Sequence, residues 1–178
     1  NVGSALAQGW TRAGHEITLG VRDKLNFKGS QLSDHGNIAI DTIPAAVSKS
    51  EVIVIAAVPQ AVFSIAEAMG DVSSKIIIDT MNSVRVKPEP YSNTTEALMR
   101  LTTCKDIVKC FNTTGAENMA KNVAAQLAMD LGFDNVYNFG GSDKFVLLEN
   151  FALSWINLAI MQGYGRNIAF KIMKRNDK

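Results

Sequence analysis

Hydrophobic and polar positions along the chain follow two periods, one typical of helices and one typical of strands. At the start, Ala5, Leu6, Trp10 and Ala13 recur at three- and four-residue spacing, which predicts a helix that Gly14 ends. The next segment, EITLGVR, alternates apolar and polar residues and predicts a β-strand. Four later segments also predict strands, and three of these are apolar runs typical of a buried parallel sheet: NIAID, EVIVIAAV (51–58), SKIIIDTMNS (74–83) and DIVKCFNTTG (106–115).

Helical spans separate most of the predicted strands. We expect them at residues 42–50, 60–70 and 93–101, and a further one at 116–131. Strands and helices that alternate through short connections predict an α/β fold with a doubly wound parallel sheet, the Rossmann fold, whose ligands bind at the carboxyl ends of the strands. We expect residues 1–143 to form this domain, and residues 144–178 to form a helical segment that packs on it as part of the same domain.

The first residues fit the end of a phosphate-binding motif. In dinucleotide-binding proteins a strand is followed by G-x-G-x-x-G, and the last glycine lies inside the next helix. Gly3 fits that last position, with Asn1 and Val2 as the two spacer residues. We therefore expect the first strand and its two leading glycines to precede Asn1. A second loop is expected near Ala120 and Lys121, because the chain otherwise offers few strands for its apolar segments.

Composition and charge narrow the classes of function. The chain has 178 residues, 47% of them hydrophobic and 20% charged, which is typical of one soluble globular domain. A net charge of +1 is too small to indicate a protein that binds nucleic acid or an anionic membrane through its overall positive charge. Polar residues interrupt the apolar segment 145–163, so we interpret it as a buried helix or a subunit interface. Cys104 and Cys110 lack metal-site spacing, and we expect free thiols in a reducing cytoplasm and no metal.

The end of the second expected strand bears on the choice of cofactor. Acidic residues at this place bind the ribose hydroxyls of NAD, whereas cations accept the 2′-phosphate of NADP. Arg22 and Lys24 supply two positive charges here, and neither Gly20 nor Val21 is a carboxylate. This pattern favours NADP. Arg22 could instead be a solvated surface cation, and Asp23 could partly neutralise the site.

The chain as a whole resembles the small NADP oxidoreductases related to the reductases that depend on coenzyme F-420, an 8-hydroxy-5-deazaflavin. Five stretches carry the resemblance, and the last is the most specific because it is not general to Rossmann folds: NVGSALAQGWTRAGHEITLGVRD, VIAAVPQAV, IIIDTMN, KCFNTTGAENM and LLENFALSWINLAIMQGYGRNIAFK.

The resemblance implies a set of residues that bind the cofactor. It places Asn1, Val2 and Gly3 in the pyrophosphate loop and Arg22 at the 2′-phosphate. The residues that it implies along the adenosine and the nicotinamide are Val58, Pro59, Gln60, Asn82, Asn112 and Thr113. Two positions depart from the family's pattern. Val21 stands where a phosphate-binding serine is common, and Gln60 stands where the family often has an aromatic residue.

The expected activity is hydride transfer between NADPH and a small-molecule acceptor that resembles a deazaflavin or a flavin. Such a transfer needs no protein nucleophile, and the sequence offers no Ser/His/Asp or Cys/His group; we interpret His15 and His35 as structural. Trp155 and Arg166 could wall the acceptor pocket, and the apolar C-terminal helix could form a homodimer. Two alternatives stay open: a module that senses NADPH without turnover, and a dehydrogenase of the hydroxyacid or imine type.

Overall fold

A computed structural model of the chain describes residues 2–34, 36–83, 86–110, 119–137, 139–170 and 172. Five strands and six α-helices alternate along these residues. The strands are β1 (Ile17–Val21), β2 (Ile38–Thr42), β3 (Val52–Ile55), β4 (Ile76–Asp79) and β5 (Asp106–Lys109). The helices are α1 (Val2–Arg12), α2 (Ile43–Lys49), α3 (Val62–Met69), α4 (Thr94–Leu101), α5 (Met119–Asp130) and α6 (Phe145–Ile156). A π-helical turn, Asn157–Met161, continues α6.

All pairs of neighbouring strands are parallel, as predicted, and they form two small sheets. β1 pairs with β2 from Ile17 opposite Ile38, and the second sheet has the order β3-β4-β5, in which Ile77 lies between Ile53 and Ile107. Within the described residues, β1 and β3 do not pair with each other. Each of them therefore keeps one strand edge free of a partner strand.

The two sheets share the same helical layers. On one face, α2 packs against Gly20 of β1, and its Val47 belongs to the core cluster that contains Ile55 of β3. On the other face, α1 covers the first sheet and α5 covers the second. The indole nitrogen of Trp10 in α1 donates a 2.8 Å hydrogen bond to the carbonyl of Leu127 in α5, and this bond joins the two helices. The sheets therefore form the middle layer of one three-layer α/β arrangement.

Local sequence explains where several elements begin and end. Gly14 follows α1 with a φ of 95°, a conformation that glycine adopts at little cost. Thr42 caps α2 by accepting from the amide of Ala45, and Asn93 caps α4 by accepting from the amide of Glu96.

The strands are shorter than the apolar runs from which they were predicted. β3 ends at Ile55 because Ala56–Val58 leave the sheet and Pro59 begins a turn of 3₁₀-helix. Residues 135–137 and 139–141 form no strand, so the apolar residues among them do not extend the sheet. No helix within the described ranges combines the length and the hydropathy that a bilayer crossing needs.

Candidate functional site

Segments singled out from the sequence follow the carboxyl ends of the strands. Because the strands within each sheet are parallel, these ends meet at one edge of that sheet. The edge formed by β3 and β4 is tied together, since both the amide and the hydroxyl of Thr80 donate to the carbonyl of Ile55, at 3.1 and 3.0 Å. The residues expected to bind the cofactor therefore extend from a short, parallel framework.

A surface cavity of about 210 Å³ opens at the carboxyl ends of β1 and β2. Arg22 is exposed at its wall and forms no ion pair with any described residue. The other lining residues are mostly apolar, and they come from β1, β2, α2 and α3: Val21, Thr42, Ile43, Pro44, Ser64 and Ala68. An apolar recess beside one guanidinium can accept a flat heterocycle that carries a phosphate.

Lys24 and Asp23, which flank the same corner, already have partners within the protein. Lys24 Nζ lies 3.2 Å from Asp41 Oδ1, and Lys49 Nζ lies 2.9 Å from the other oxygen of Asp41. These bonds, first the one from Lys49, lower the pKa of Asp41 to about 2. Asp23 accepts from the amides of residues 25 and 26. Among the cations described at this corner, Arg22 thus differs from Lys24 and Lys49 in having no ion-pair partner within the described part of the chain.

The turn after β3 presents Val58, Pro59 and Gln60 at the surface. Val58 is 64% exposed, and the Ala61 amide donates a 3.0 Å hydrogen bond to its carbonyl. Gln60 is also exposed, and Pro59 is half-buried. A rigid turn with an apolar side chain and an amide at its tip suits contact with a cofactor.

A buried polar cluster lies directly behind the end of β4. Asp79 is fully buried, and its Oδ2 accepts hydrogen bonds from the hydroxyls of Thr94 at 2.7 Å and Thr95 at 2.6 Å. Its other oxygen accepts a 2.9 Å bond from the amide of Met81. The carboxylate therefore fixes both the start of α4 and the first residues after the strand.

Lys109, at the end of β5, joins this cluster to the C-terminal helix. Its ammonium lies 3.2 Å from Asp79 Oδ2 and 2.9 Å from Glu149 Oε1, and it also donates to the carbonyl of Met81. Glu149 Oε2 accepts a 3.1 Å bond from the amide of Ser83. Lys and Glu are rarely buried unless they are paired, and here two carboxylates surround one ammonium.

Sequence reasoning did not assign this cluster, although a signal was present. Asp79 and Lys109 interrupt apolar strands at positions that a parallel sheet buries, and Glu149 interrupts an apolar helix. Charged residues at three buried positions, one of them a cation that can pair with the two carboxylates, indicate a contact. The spacing in sequence could not show which elements meet.

Three of the remaining predicted residues are described by the structure. Asn82 is half-buried between Met81 and Ser83. Val2 is 60% exposed in the first turn of α1, and Gly3 is half-buried beside it, so the start of α1 is open to a ligand. Asn1, Asn112 and Thr113 lie outside the described residues. The placement of the set as a cofactor site stays a prediction.

Two residues proposed for the acceptor pocket have other surroundings. Trp155 is half-buried, and its indole nitrogen donates a 2.7 Å hydrogen bond to the carbonyl of Ile168, so it fastens the C-terminal segment to α6. Arg166 is exposed. Cys104 and Cys110 are both buried free thiols, as predicted. Burial, and then the charge of Asp79, raises the pKa of Cys110 to about 12.

Comparison with known protein families finds a match to the first part of the chain. Residues 1–83 match the family described as NADP oxidoreductase, coenzyme F-420-dependent. The resemblance predicted from the sequence is confirmed there, and with it the prediction that the chain is an NADP-dependent oxidoreductase. No curated protein matches the chain.

Two solved structures share the fold over nearly the whole chain. One is a candidate F-420-dependent NADP reductase from Arthrobacter sp. FB24, which is 23% identical, with a TM-score of 0.77 over 97% of this chain and 95% of that one. The other is a hypothetical protein from Sinorhizobium meliloti, which is 21% identical, with a TM-score of 0.64 over 97% of this chain and 91% of that one. Both similarities confirm the Rossmann-like α/β fold.

Proposed function

We propose that the chain binds NADPH along the carboxyl ends of its strands, with the 2′-phosphate at Arg22. The observation that carries this proposal is the cavity of about 210 Å³ in which Arg22 stands beside apolar residues of α2 and α3. A guanidinium without a carboxylate partner offers a fork of donors to a phosphate. The apolar wall, which includes Ile43 and Pro44, is suited to the adenine ring.

The rest of the cofactor would extend from this cavity toward β3 and β4. Val58, Pro59 and Gln60 stand on the turn after β3, and Asn82 follows β4, so the direction agrees with a dinucleotide laid along the edge. The pyrophosphate would lie at the start of α1, near Asn1, Val2 and Gly3, where amides and the helix dipole favour an anion. We include Asn112 and Thr113 at the nicotinamide end from the family resemblance alone.

When bound, the nicotinamide supplies the hydride, so the chain's own residues bind, orient and exclude water. Val58 offers apolar contact, and Gln60 and Asn82 offer amide groups that can orient a carboxamide. We propose a deazaflavin or a flavin as the acceptor, because such a ring takes a hydride without requiring the protein to protonate a substrate oxygen. The three side chains proposed at the nicotinamide end, those of Val58, Gln60 and Asn82, are apolar or amide groups, and none of them titrates to donate a proton to a substrate oxygen.

An acceptor screen tests the proposed reaction. NADPH oxidation would be followed at 340 nm with a deazaflavin, a flavin, a quinone, a ferric chelate and a 2-keto acid as separate acceptors. We expect turnover with the deazaflavin or the flavin. Tight NADPH binding without turnover of any acceptor would favour a sensing module. Turnover of only the keto acid would favour a hydroxyacid-type dehydrogenase.

We propose that the strand expected before α1 lies between β1 and β3. Both strands present an edge without a described partner strand, and α2 covers both of them. Alternation along a parallel strand directs the amides of Thr18 and Gly20 toward this seam, and those of Val52 and Val54 toward it from the other side. Slow hydrogen exchange of these four amides in the expressed protein would support a strand there, and exchange as fast as at an exposed edge would contradict it. The loop expected near residues 120–121 also remains a proposal.

We further propose a cytoplasmic homodimer formed through α6 and the turn that follows it. Large apolar side chains are exposed on this segment, and Val146, Leu147 and Met161 are 58%, 51% and 71% exposed. A second copy of the chain would cover them and remove apolar area from water. Light scattering that gives twice the monomer mass would support the dimer, and a monomer mass at high protein concentration would contradict it.

A further inference from the structure

Asn82 stands in a backbone segment that three buried charged side chains hold from both directions. On its amino side, the amide of Met81 donates to Asp79 and the carbonyl of Met81 accepts from Lys109. On its carboxyl side, the amide of Ser83 donates to Glu149 at 3.1 Å. Hydrogen bonds to charged side chains thus hold the backbone at the residue before Asn82 and at the residue after it.

The three charged residues come from three distant elements. Asp79 ends β4, Lys109 ends β5 and Glu149 lies in α6, 66 residues after Ser83. Their side chains are 0%, 1% and 11% exposed, and the ammonium lies within 3.2 Å of both carboxylates. Charges in such a dry environment interact strongly and hold fixed geometry. Movement of α6 would therefore change the position of Ser83 and Asn82.

We propose that Asp79, Lys109 and Glu149 are positioning residues that set the place of Asn82 at the nicotinamide end of the cofactor site. The inference rests on the proposed function, since it requires NADPH to lie along this edge. None of the three side chains needs to touch the cofactor. They act through the backbone of Met81, Asn82 and Ser83, and Glu149 makes the C-terminal helix part of the site.

The structure also indicates why buried charges, rather than neutral groups, would serve here. A loop that follows a strand has free backbone groups, and these require partners when they are buried. The carboxylates accept from the amides of Met81 and Ser83, while the ammonium donates to a carbonyl between them. Hydrogen bonds to charged groups are shorter and stronger than bonds between neutral groups, so they restrict a loop more closely.

The test compares two ligands that differ only in the part near Asn82. NADPH and 2′-phospho-ADP-ribose, which lacks the nicotinamide, would be titrated into the wild type and into Glu149→Gln. We expect the substitution to weaken NADPH binding about tenfold, or ~1.4 kcal/mol, because a neutral amide oxygen holds the Ser83 amide and the Lys109 ammonium less strongly than a carboxylate does. The affinity for 2′-phospho-ADP-ribose should stay unchanged. Asn82→Ala should give the same selective loss, and Glu67→Gln, at an exposed position on α3, should change neither affinity.

Amide hydrogen exchange supplies a second measurement that needs no ligand. We expect the Ser83 amide to be protected in the wild type and to exchange faster in Glu149→Gln, while the Met81 amide keeps its protection from Asp79. An equal loss of affinity for both ligands, no loss for either, or unchanged exchange at Ser83 would overturn the positioning role. A wild type that binds neither ligand would instead refute the proposed function on which the inference depends.

Discussion

Replacing Lys109 by methionine should destabilise the protein far more than the loss of a charge at its surface. The change keeps most of the side-chain volume and removes the ammonium that lies 3.2 Å from Asp79 and 2.9 Å from Glu149. Those carboxylates are 0% and 11% exposed, so water cannot replace the lost partner. Breaking a buried pair in this way costs about 3–5 kcal/mol.

That cost is a large share of the 5–15 kcal/mol that typically separates folded and unfolded states. For a chain of this length it corresponds to a fall in Tm of roughly 6–20 °C, at about 2–4 °C for each kcal/mol. Urea unfolding followed by circular dichroism would give the free energy, and calorimetry would give the Tm. Lys24→Met is the matched control, because Lys24 pairs with Asp41 at the surface, where an ion pair contributes about 1 kcal/mol or less.

A second variant separates the charge effect from simple loss of packing. In Lys109→Met combined with Glu149→Gln, one of the two unpaired carboxylates is gone, and Asp79 keeps its bonds from Thr94 and Thr95. The double variant should therefore be less destabilised than the sum of the two single variants. If Lys109→Met lowers stability no more than Lys24→Met does, the interpretation of the cluster as a buried ionic network is wrong.

Three further predictions concern the thiols and a helix cap. Cys104 and Cys110 should resist iodoacetamide at pH 8 in the folded protein, because burial raises the pKa of both thiols, that of Cys110 to about 12; rapid labelling would contradict this. A thiol whose pKa is higher when folded favours the folded state only while it is protonated, so Tm should fall as the pH rises from 9 toward 12. Asn93→Ala removes the side chain that caps α4 by accepting from the Glu96 amide at 2.9 Å. It should lower the free energy of unfolding in urea by about 1 kcal/mol. An unchanged urea midpoint would show that the cap does not contribute to stability.

Much of the fold could be predicted because its signals are local. The alternation in EITLGVR and the apolar run in SKIIIDTMNS locate β1 and β4, and Gly14 marks the end of α1. Strand ends were harder to predict, because Ala56–Val58 are as apolar as the strand before them. Their departure from the sheet depends on where the neighbouring strand stops, which is information from outside the segment.

The site shows the same division between local and distant information. Arg22 could be predicted from its place after β1, and it forms no ion pair with a carboxylate in the residues that the structure describes. Lys24 stays a predicted cofactor-binding residue beside it. Its bond to Asp41, which lies in another strand, could not be predicted from the spacing. The cluster of Asp79, Lys109 and Glu149 was missed for the same reason, since long-range pairing is decided by the fold.

Titration calorimetry of NADPH and NADH against the wild type and Arg22→Ala tests the central claim most directly. The account predicts that the wild type binds NADPH much more tightly than NADH, and that Arg22→Ala removes this preference while leaving NADH affinity nearly unchanged. Arg100→Ala, at an exposed position in α4, should keep the preference and serves as the control. Equal affinity of the wild type for the two nucleotides, or a preference that survives Arg22→Ala, would contradict the assignment of the 2′-phosphate to Arg22.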